Sequence, residues 1–243
     1  MKIPYYLLHR NPFFGLIFKL FFNRFKYRLN NEKLLFDIPY NYISYSWLPG
    51  FLFKTYEIND VYLIKKHLKN NEKALNIGGG LGFIATLIFK ITNQKVTVVE
   101  VNREIIEVLE KNLKNNSVEY LLIDKPLSFS ENLSFKLSND KSFISKSTTI
   151  AKDISSNALD SKIINQDYFN NFDVLVIDAE GYEEYLFTEL KEMNFKKIIV
   201  EFHPKNYLEN DITSLIKILS EFDYVEVDSY FQSKVFIKKY LKL

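Results

Sequence analysis

Four of the chain's seven glycines fall within five residues, in Asn76-Ile77-Gly78-Gly79-Gly80-Leu81-Gly82. A short apolar run precedes the cluster and a longer one follows, so the turn lies where a strand hands over to a helix. Glycine there lets a bulky ligand approach the backbone closely and lets the turn adopt φ > 0. The dinucleotide pattern G-x-G-x-x-G/A asks for Gly or Ala where Phe83 stands. Glu100 follows 18 residues after Gly82, at the end of Val96-Thr97-Val98-Val99. A carboxylate in that place can accept both ribose hydroxyls of an adenosine-containing ligand.

Two further clusters carry acids and an imidazole. In Val174-Leu175-Val176-Ile177-Asp178-Ala179-Glu180-Gly181-Tyr182-Glu183-Glu184, an apolar strand delivers Asp178 and Glu180 to its C-terminal end, where open α/β sheets bind ligands. Glu180, Glu183 and Glu184 also suit the positive end of the helix that follows. In Ile198-Ile199-Val200-Glu201-Phe202-His203-Pro204, period-two alternation puts Glu201 and His203 on one side of a strand. Asp178, Glu180, Glu201 and His203 are the candidate catalytic residues. His203 or Asp178 is the candidate base for a hydroxyl nucleophile. Asp178, Glu201 and His203 can also hold one divalent ion, for which oxygen donors and one imidazole suit Mg²⁺ or Mn²⁺. No spacing rule demands that metal. His9 and His67 are given no role.

These residues need a scaffold that brings strand ends together. A helix is expected from Tyr56, with Val61, Leu63, Ile64 and Leu68 along one side. Strands are expected at 73–77, 96–100, 118–123, 173–178 and 197–202. Helices are expected between them at 83–91, 103–115 and 182–193, with one more at 211–220. Asn102 is placed to cap the second of these. Residues 128–152 interrupt the rhythm with short alternating pieces, 134–137 and 142–144, read as a β-hairpin insertion. Residues 224–228 and 235–239 read as two strands joined by six residues, close enough for an antiparallel hairpin. Strand–helix alternation predicts an α/β fold with a mostly parallel, seven-stranded, Rossmann-like sheet ending in that hairpin.

The chain has 243 residues, enough for one large domain and an extension. It has no cysteine, which excludes disulfides, thiolate metal sites and a cysteine nucleophile. Residues 1–30 carry Lys2, Arg10, Lys19, Arg24, Lys26 and Arg28 and no acid, so the remainder is net acidic although the whole is +2. This basic stretch is also aromatic, and Lys19 interrupts an apolar run too short to span a bilayer. It reads as a helix packed on the domain, or as a peripheral membrane contact through residues 10–28. Residues 31–55 read as irregular. The expected division is therefore a basic aromatic N-terminal extension, 1–55, and a ligand-binding domain, 56–243, with the insertion at 128–152. The expected location is the cytoplasm, at the inner face of the membrane if the basic stretch docks there. Because the basic charge is confined to one aromatic segment, nucleic acid is not the expected partner. Homo-oligomerisation through the aromatic segment is left open.

The motifs resemble those of the FkbM-type methyltransferases over about residues 56–205. The likeness is carried by Tyr56-Glu57, the glycine loop, Val98-Val99-Glu100-Val101-Asn102, Asn112, Ile177-Asp178-Ala179-Glu180-Gly181-x-Glu183 and Val200-Glu201-Phe202-His203. It implies the class I methyltransferase variant of the fold. It also implies S-adenosylmethionine as cofactor, bound by Glu57, Asn76, Gly78, Gly79, Gly80, Gly82, Glu100, Val101 and Asp178. The reaction implied is O-methylation of a sugar, glycan or related small molecule. Two positions depart from the family pattern: Asn76 replaces the usual Asp, and Gly80 the usual Asn. Two other classes remain compatible with the sequence. One is a non-catalytic module that binds a membrane or a partner. The other is a nucleotide-cofactor oxidoreductase, against which Phe83 and the closing hairpin count.

Overall fold

In the computed structural model, a seven-stranded sheet runs in the order β12 (224–230), β13 (233–238), β11 (197–201), β10 (174–177), β3 (74–77), β4 (96–99), β5 (120–123). The described residues are 24–28, 34–39, 56–131, 133–138, 146, 148–150 and 158–239. Strands β3 (Ala74–Ile77), β4 (Val96–Val99), β5 (Tyr120–Ile123), β10 (Val174–Ile177) and β11 (Lys197–Glu201) are parallel. β13 (Ser233–Lys238) is antiparallel to β11 and to the edge strand β12 (Tyr224–Tyr230). From β3 the chain moves outward through β4 to β5, then returns to β10 on the other side. The order therefore reverses between β3 and β10, which makes that crevice the ligand-binding place of a doubly wound sheet. This is the Rossmann-like class I methyltransferase arrangement expected from the sequence.

Both faces of the sheet are covered, which is why its strands are apolar without alternation. Helices α1 (Ile58–His67), α2 (Phe83–Thr92) and α3 (Arg103–Asn115) cover one face. Leu63, Ile64, Ile88, Leu109 and Leu113 meet Val98, Val174, Val176 and Ile199 there. Helices α4 (Tyr182–Glu189) and α5 (Ile212–Glu221) cover the other. Leu186, Phe187, Leu215 and Leu219 pack there on Leu75, Ile77, Leu175 and Val200. Asn102 caps α3 as expected, its side chain accepting from Glu104 N at 3.2 Å. His67 joins α1 to the edge strand through Nε2 and Asp228 Oδ2, 2.7 Å apart.

Several sequence expectations are corrected. The 31–55 stretch is not irregular throughout, because β2 (Leu35–Pro39) pairs antiparallel with β1 (Arg24–Arg28). Residues 24–28 are thus extended, not helical; residues 10–23 of the proposed membrane segment lie outside the described residues. Although the sequence grouped β2 with the extension, Leu34, Phe36 and Ile38 are buried in the first core. Phe36 packs on Phe83 with ring centroids 5.0 Å apart and the rings tilted by 44°. The helix from Tyr182 ends at Glu189 rather than near Met193. Leu190 turns extended there, and Leu190, Met193 and Phe195 reach the core from a loop. The closing hairpin has a two-residue connection, Phe231-Gln232, not six. Ser229 and Tyr230, read as part of the connection, belong to an edge strand with a bulge near Glu226. Around the insertion, β6 (Leu127–Ser128) pairs parallel with β9 (Lys162–Ile163), and within it β7 (Phe135–Leu137) does form a hairpin, with β8 (Thr148–Ile150) as its partner. The proposed second piece, 142–144, lies outside the described residues.

Asn112 holds the N-terminal strand pair to the glycine loop. It is fully buried, its Oδ1 accepts from Asp37 N at 2.7 Å and its Nδ2 donates to Leu81 O at 2.9 Å. Asn116 repeats the device with both backbone groups of Leu35. Replacing Asn112 by Ala strands a buried donor and a buried acceptor, so urea unfolding is expected to show a loss of about 2–3 kcal/mol. A loss below about 0.5 kcal/mol would show that neither contact matters.

Candidate active site

One cavity of about 860 Å³ opens at the C-terminal ends of the parallel strands. Glu57, Gly78, Gly79, Gly80, Glu100, Val101, Asp178, Glu180, Glu201 and His203 all line it. The three sequence clusters and Glu57 therefore meet in one place. Asn76 and Gly82 are not among the lining residues. Asn76 is buried within β3, its Oδ1 finds no partner among the described residues, and its Nδ2 is 3.5 Å from Gly78 O. Gly82 instead caps α2 in the left-handed region and presses against Leu109. Both sit beneath the loop rather than facing the ligand space.

The glycine loop is shaped by close packing below and space above. Gly78 has φ +89°, and a Cβ there would lie 1.7 Å from the Asp178 carbonyl oxygen. The backbone leaving β10 thus passes directly beside it, and only glycine fits. Gly80 also has positive φ, yet a Cβ there would meet nothing within 4 Å. Its open side belongs to the cavity. Glu100 ties this loop to the end of β4, with Oε2 accepting from Gly80 N and Oε1 from Asn102 N, both at 2.8 Å. Burial pushes the Glu100 carboxyl up to about 7 despite these donors.

Opposite the loop, carboxylates crowd around one imidazole. His203 Nδ1 is 3.1 Å from Glu183 Oε1, while Nε2 is 3.5 Å from Asp178 Oδ1 and 3.6 Å from Glu180 Oε2. Glu183 is fully buried and accepts from Ala179 N at 2.9 Å and Gly181 N at 2.8 Å. It completes the helix N-terminus, as the sequence suggested, and also fixes the imidazole, which the sequence did not show. Burial opposes charge on His203, but Glu183, Asp178 and Glu180 outweigh it and push the ring up to about 10. Burial, reinforced by neighbouring acids, drives Glu57 to about 8 and Glu201 to about 9, and holds Asp178 well above the carboxylate range. Glu184 faces away, holding the loop at 208–210 through Leu208 N, Glu209 N and Asn210 N.

Sequence reasoning missed Asp60, which lines the same cavity at 3 % exposure. Its signal was present: an acid one turn after Glu57 on the side of α1 that also carries Leu63 and Ile64. Phe231 and Gln232 at the hairpin tip were also missed, because the turn was not recognised. Phe231 stands at the cavity mouth with 77 % of its surface exposed and φ +56°.

The model of the spermine/spermidine synthase domain family matches residues 57–201, which include the glycine loop, Glu100 and Asp178 through Glu201. The chain belongs to this family. The finer FkbM-type likeness rests on the motifs alone. Among curated proteins, the chain is 34% identical over 62 residues to the ribosomal protein L11 methyltransferase of Thermotoga maritima. That stretch covers 26% of this chain and 24% of the relative. The corresponding enzyme of Thermotoga neapolitana is 31% identical over 62 residues, with the same coverage. The chain thus matches about a quarter of the length of these relatives. Among solved structures, a methyltransferase from Pyrococcus furiosus is 19% identical, with 93% of this chain and 94% of that chain covered, at a TM-score of 0.39. The Pyrococcus abyssi tRNA (uracil-54, C5)-methyltransferase in complex with S-adenosyl-L-homocysteine is 15% identical, with 89% and 44% covered, at a TM-score of 0.47. The assignment of the fold rests on the strand order itself. Among the described residues, no helix is long and apolar enough to cross a membrane.

Proposed function

We propose that this protein is an S-adenosylmethionine-dependent methyltransferase acting on a hydroxyl of a sugar, glycan or related small molecule. The observation that carries the reading is the open-sided glycine loop, held by Glu100 at the mouth of β4 and faced across one cavity by the acid–imidazole cluster. Asn76, buried and neutral, gives the cofactor's amino group no charged partner, so Glu57 and Asp178 are the acids that serve it. Bound S-adenosylmethionine supplies an activated methyl group on a cationic sulfur.

The chain's own residues then have three tasks. The loop and Glu100 fix the nucleoside end, and much of the catalysis is this alignment. The acids of the second wall accept hydrogen bonds from the acceptor's hydroxyls. The cluster around His203 takes the proton of the attacking hydroxyl, and a positioned base is worth about 10²–10⁴-fold. In the free protein His203 is held protonated by its carboxylate neighbours. Beside a bound cationic cofactor, His203 would release that proton to solvent more readily, leaving the cluster able to take the hydroxyl's proton. A membrane contact through residues 10–28 would suit a lipid-linked sugar as the acceptor.

Calorimetric titration with S-adenosylmethionine and S-adenosylhomocysteine, with NAD as control, is the first test. Micromolar binding of the first two and none of NAD is expected; absence of binding would favour a non-catalytic module. With an acceptor in hand, His203→Ala is expected to lower turnover at least a hundredfold and leave cofactor affinity within about threefold. Equal loss of both would remove the base assignment.

A further inference from the structure

The acid–imidazole wall also has the make-up of a cation site, and it rests on the reading above only in sharing that cavity. Asp178, Glu201 and His203 each offer one ligand atom, and these atoms lie within 4.8 Å of one another. Glu57, Asp60 and Asp178 form a second such group, so Asp178 belongs to both. The donors come from the start of α1 and from the ends of β10 and β11, three separate elements that the fold brings to one point.

Two independent observations go beyond a gathering of acids. First, His203 is set up as a ligand. Its Nδ1 faces Glu183, a fully buried carboxylate whose oxygens are already held by Ala179 N and Gly181 N. Nε2 is therefore the nitrogen turned toward Asp178. A metal-binding imidazole is oriented in this way, with its other ring nitrogen on a carboxylate that fixes the tautomer and raises basicity. Second, Asp60 is 3 % exposed and lines the cavity, yet among the described residues no lysine or arginine pairs with it, nor with Glu57, Asp178 or Glu201. The lysine that reaches the cavity from the insertion, Lys146, is taken by Glu104 at 2.5 Å. Among the described residues, His203 is thus the one basic side chain set against several carboxyls here, and a bound cation would let more of them ionise.

We infer that Asp178, Glu201 and His203 bind one divalent cation of the Mg²⁺/Mn²⁺ class, with Glu183 as the positioning residue for His203 and Glu57 and Asp60 completing the negative surround. Two carboxylates and one imidazole leave positions open on an ion that prefers oxygen ligands, and an acceptor hydroxyl can fill one of them. Glu180, beside His203 and not among the three ligands, is then the member of the cluster that accepts the hydroxyl's proton.

The test is Mn²⁺ titration of the full chain without cofactor, followed by electron paramagnetic resonance of free Mn²⁺. The bound ion is examined for nitrogen modulation in the electron spin echo. One site is expected, with nitrogen modulation that disappears in His203→Ala. Asp178→Asn and His203→Ala should each weaken binding at least tenfold, and Glu183→Gln about tenfold, with circular dichroism unchanged. Mg²⁺ should displace the Mn²⁺. Absence of a site in the wild type, or a site whose spectrum and affinity ignore His203→Ala, overturns the inference. Glu100→Ala keeps the Mn²⁺ site and loses S-adenosylhomocysteine. Binding of the nucleoside without Mn²⁺ therefore defeats this inference alone, and binding of Mn²⁺ without the nucleoside defeats the methyltransferase reading alone.

Discussion

Glu100→Ala is expected to weaken S-adenosylhomocysteine binding at least a hundredfold while the protein stays folded. Each Glu100 oxygen already accepts one backbone N–H, from Gly80 and from Asn102, and keeps a lone pair for a ligand hydroxyl. Truncation removes the ribose acceptors and releases the loop at Gly80, the one loop glycine with open space above it. Losing two charge-assisted hydrogen bonds at about 1.5–3 kcal/mol each exceeds the 2.7 kcal/mol, or thereabouts, that a hundredfold change requires. Glu100→Gln should fall between, since its amide retains one acceptor but turns a donor toward a backbone N–H. The wild-type affinity should also depend on pH. Burial pushes this carboxyl up to about 7, and its protonated form has lost acceptor capacity. Affinity should therefore rise from pH 5.5 to 8 and flatten above. Isothermal titration across that range checks it, and a flat profile would remove Glu100 from ribose recognition.

The second large effect is on stability. The cavity acids have raised proton affinity in the folded state: Asp60 to about 6, Glu57 to about 8, Glu201 to about 9 and Asp178 well above its usual value, each chiefly through burial. His203, which keeps its charge up to about 10 through its carboxylate partners although burial opposes it, has the same sign. From about pH 4.5 to 10 the folded chain therefore holds more protons than the unfolded one, and stability falls as pH rises. The opposite sign appears only at the acid end. The hydrogen bonds of His67 and Lys66 hold Asp228 down at about 2, and that contribution is lost as pH falls below about 4. The melting temperature of the ligand-free protein is expected to peak near pH 5 and to be about 5–10 °C lower at pH 8.5 than at pH 6. A cation in the cavity stabilises the ionised acids. S-adenosylmethionine, with its charged sulfur, should recover more of that loss at pH 8.5 than uncharged-sulfur S-adenosylhomocysteine does. Differential scanning fluorimetry measures both, and a melting temperature that climbs between pH 6 and 8.5 would show that the cluster is not buried as described.

The sequence by itself determined the sheet and the places where chemistry meets it. Continuous apolar runs such as Val174–Ile177 and Ile198–Val200 can only be interior to a layer covered on both faces. Gly78 through Gly82 and the acids at 100, 178 and 201 mark the ends of those strands. Because parallel strands all point one way, residues at their C-terminal ends must share one edge, and the clustering of Glu100, Asp178, Glu201 and His203 follows from alternation alone; Glu57 came only from the resemblance. What a one-dimensional pattern cannot carry is contact between residues distant in the chain. Nothing near Asn112 shows that its amide joins Asp37 to Leu81, so strand β2 looked like loosely attached extension. Glu183 read as a helix-end charge until the fold set it beside His203, 20 residues away. Phe231 read as loop, because an exposed edge strand has no buried partner to impose alternation on its polar residues. Asn76 and Gly82 matched a ligand-binding pattern, but the tertiary packing turned both beneath the loop. Proximity and burial set which of the matched residues face the cavity, and both arise only when the elements pack.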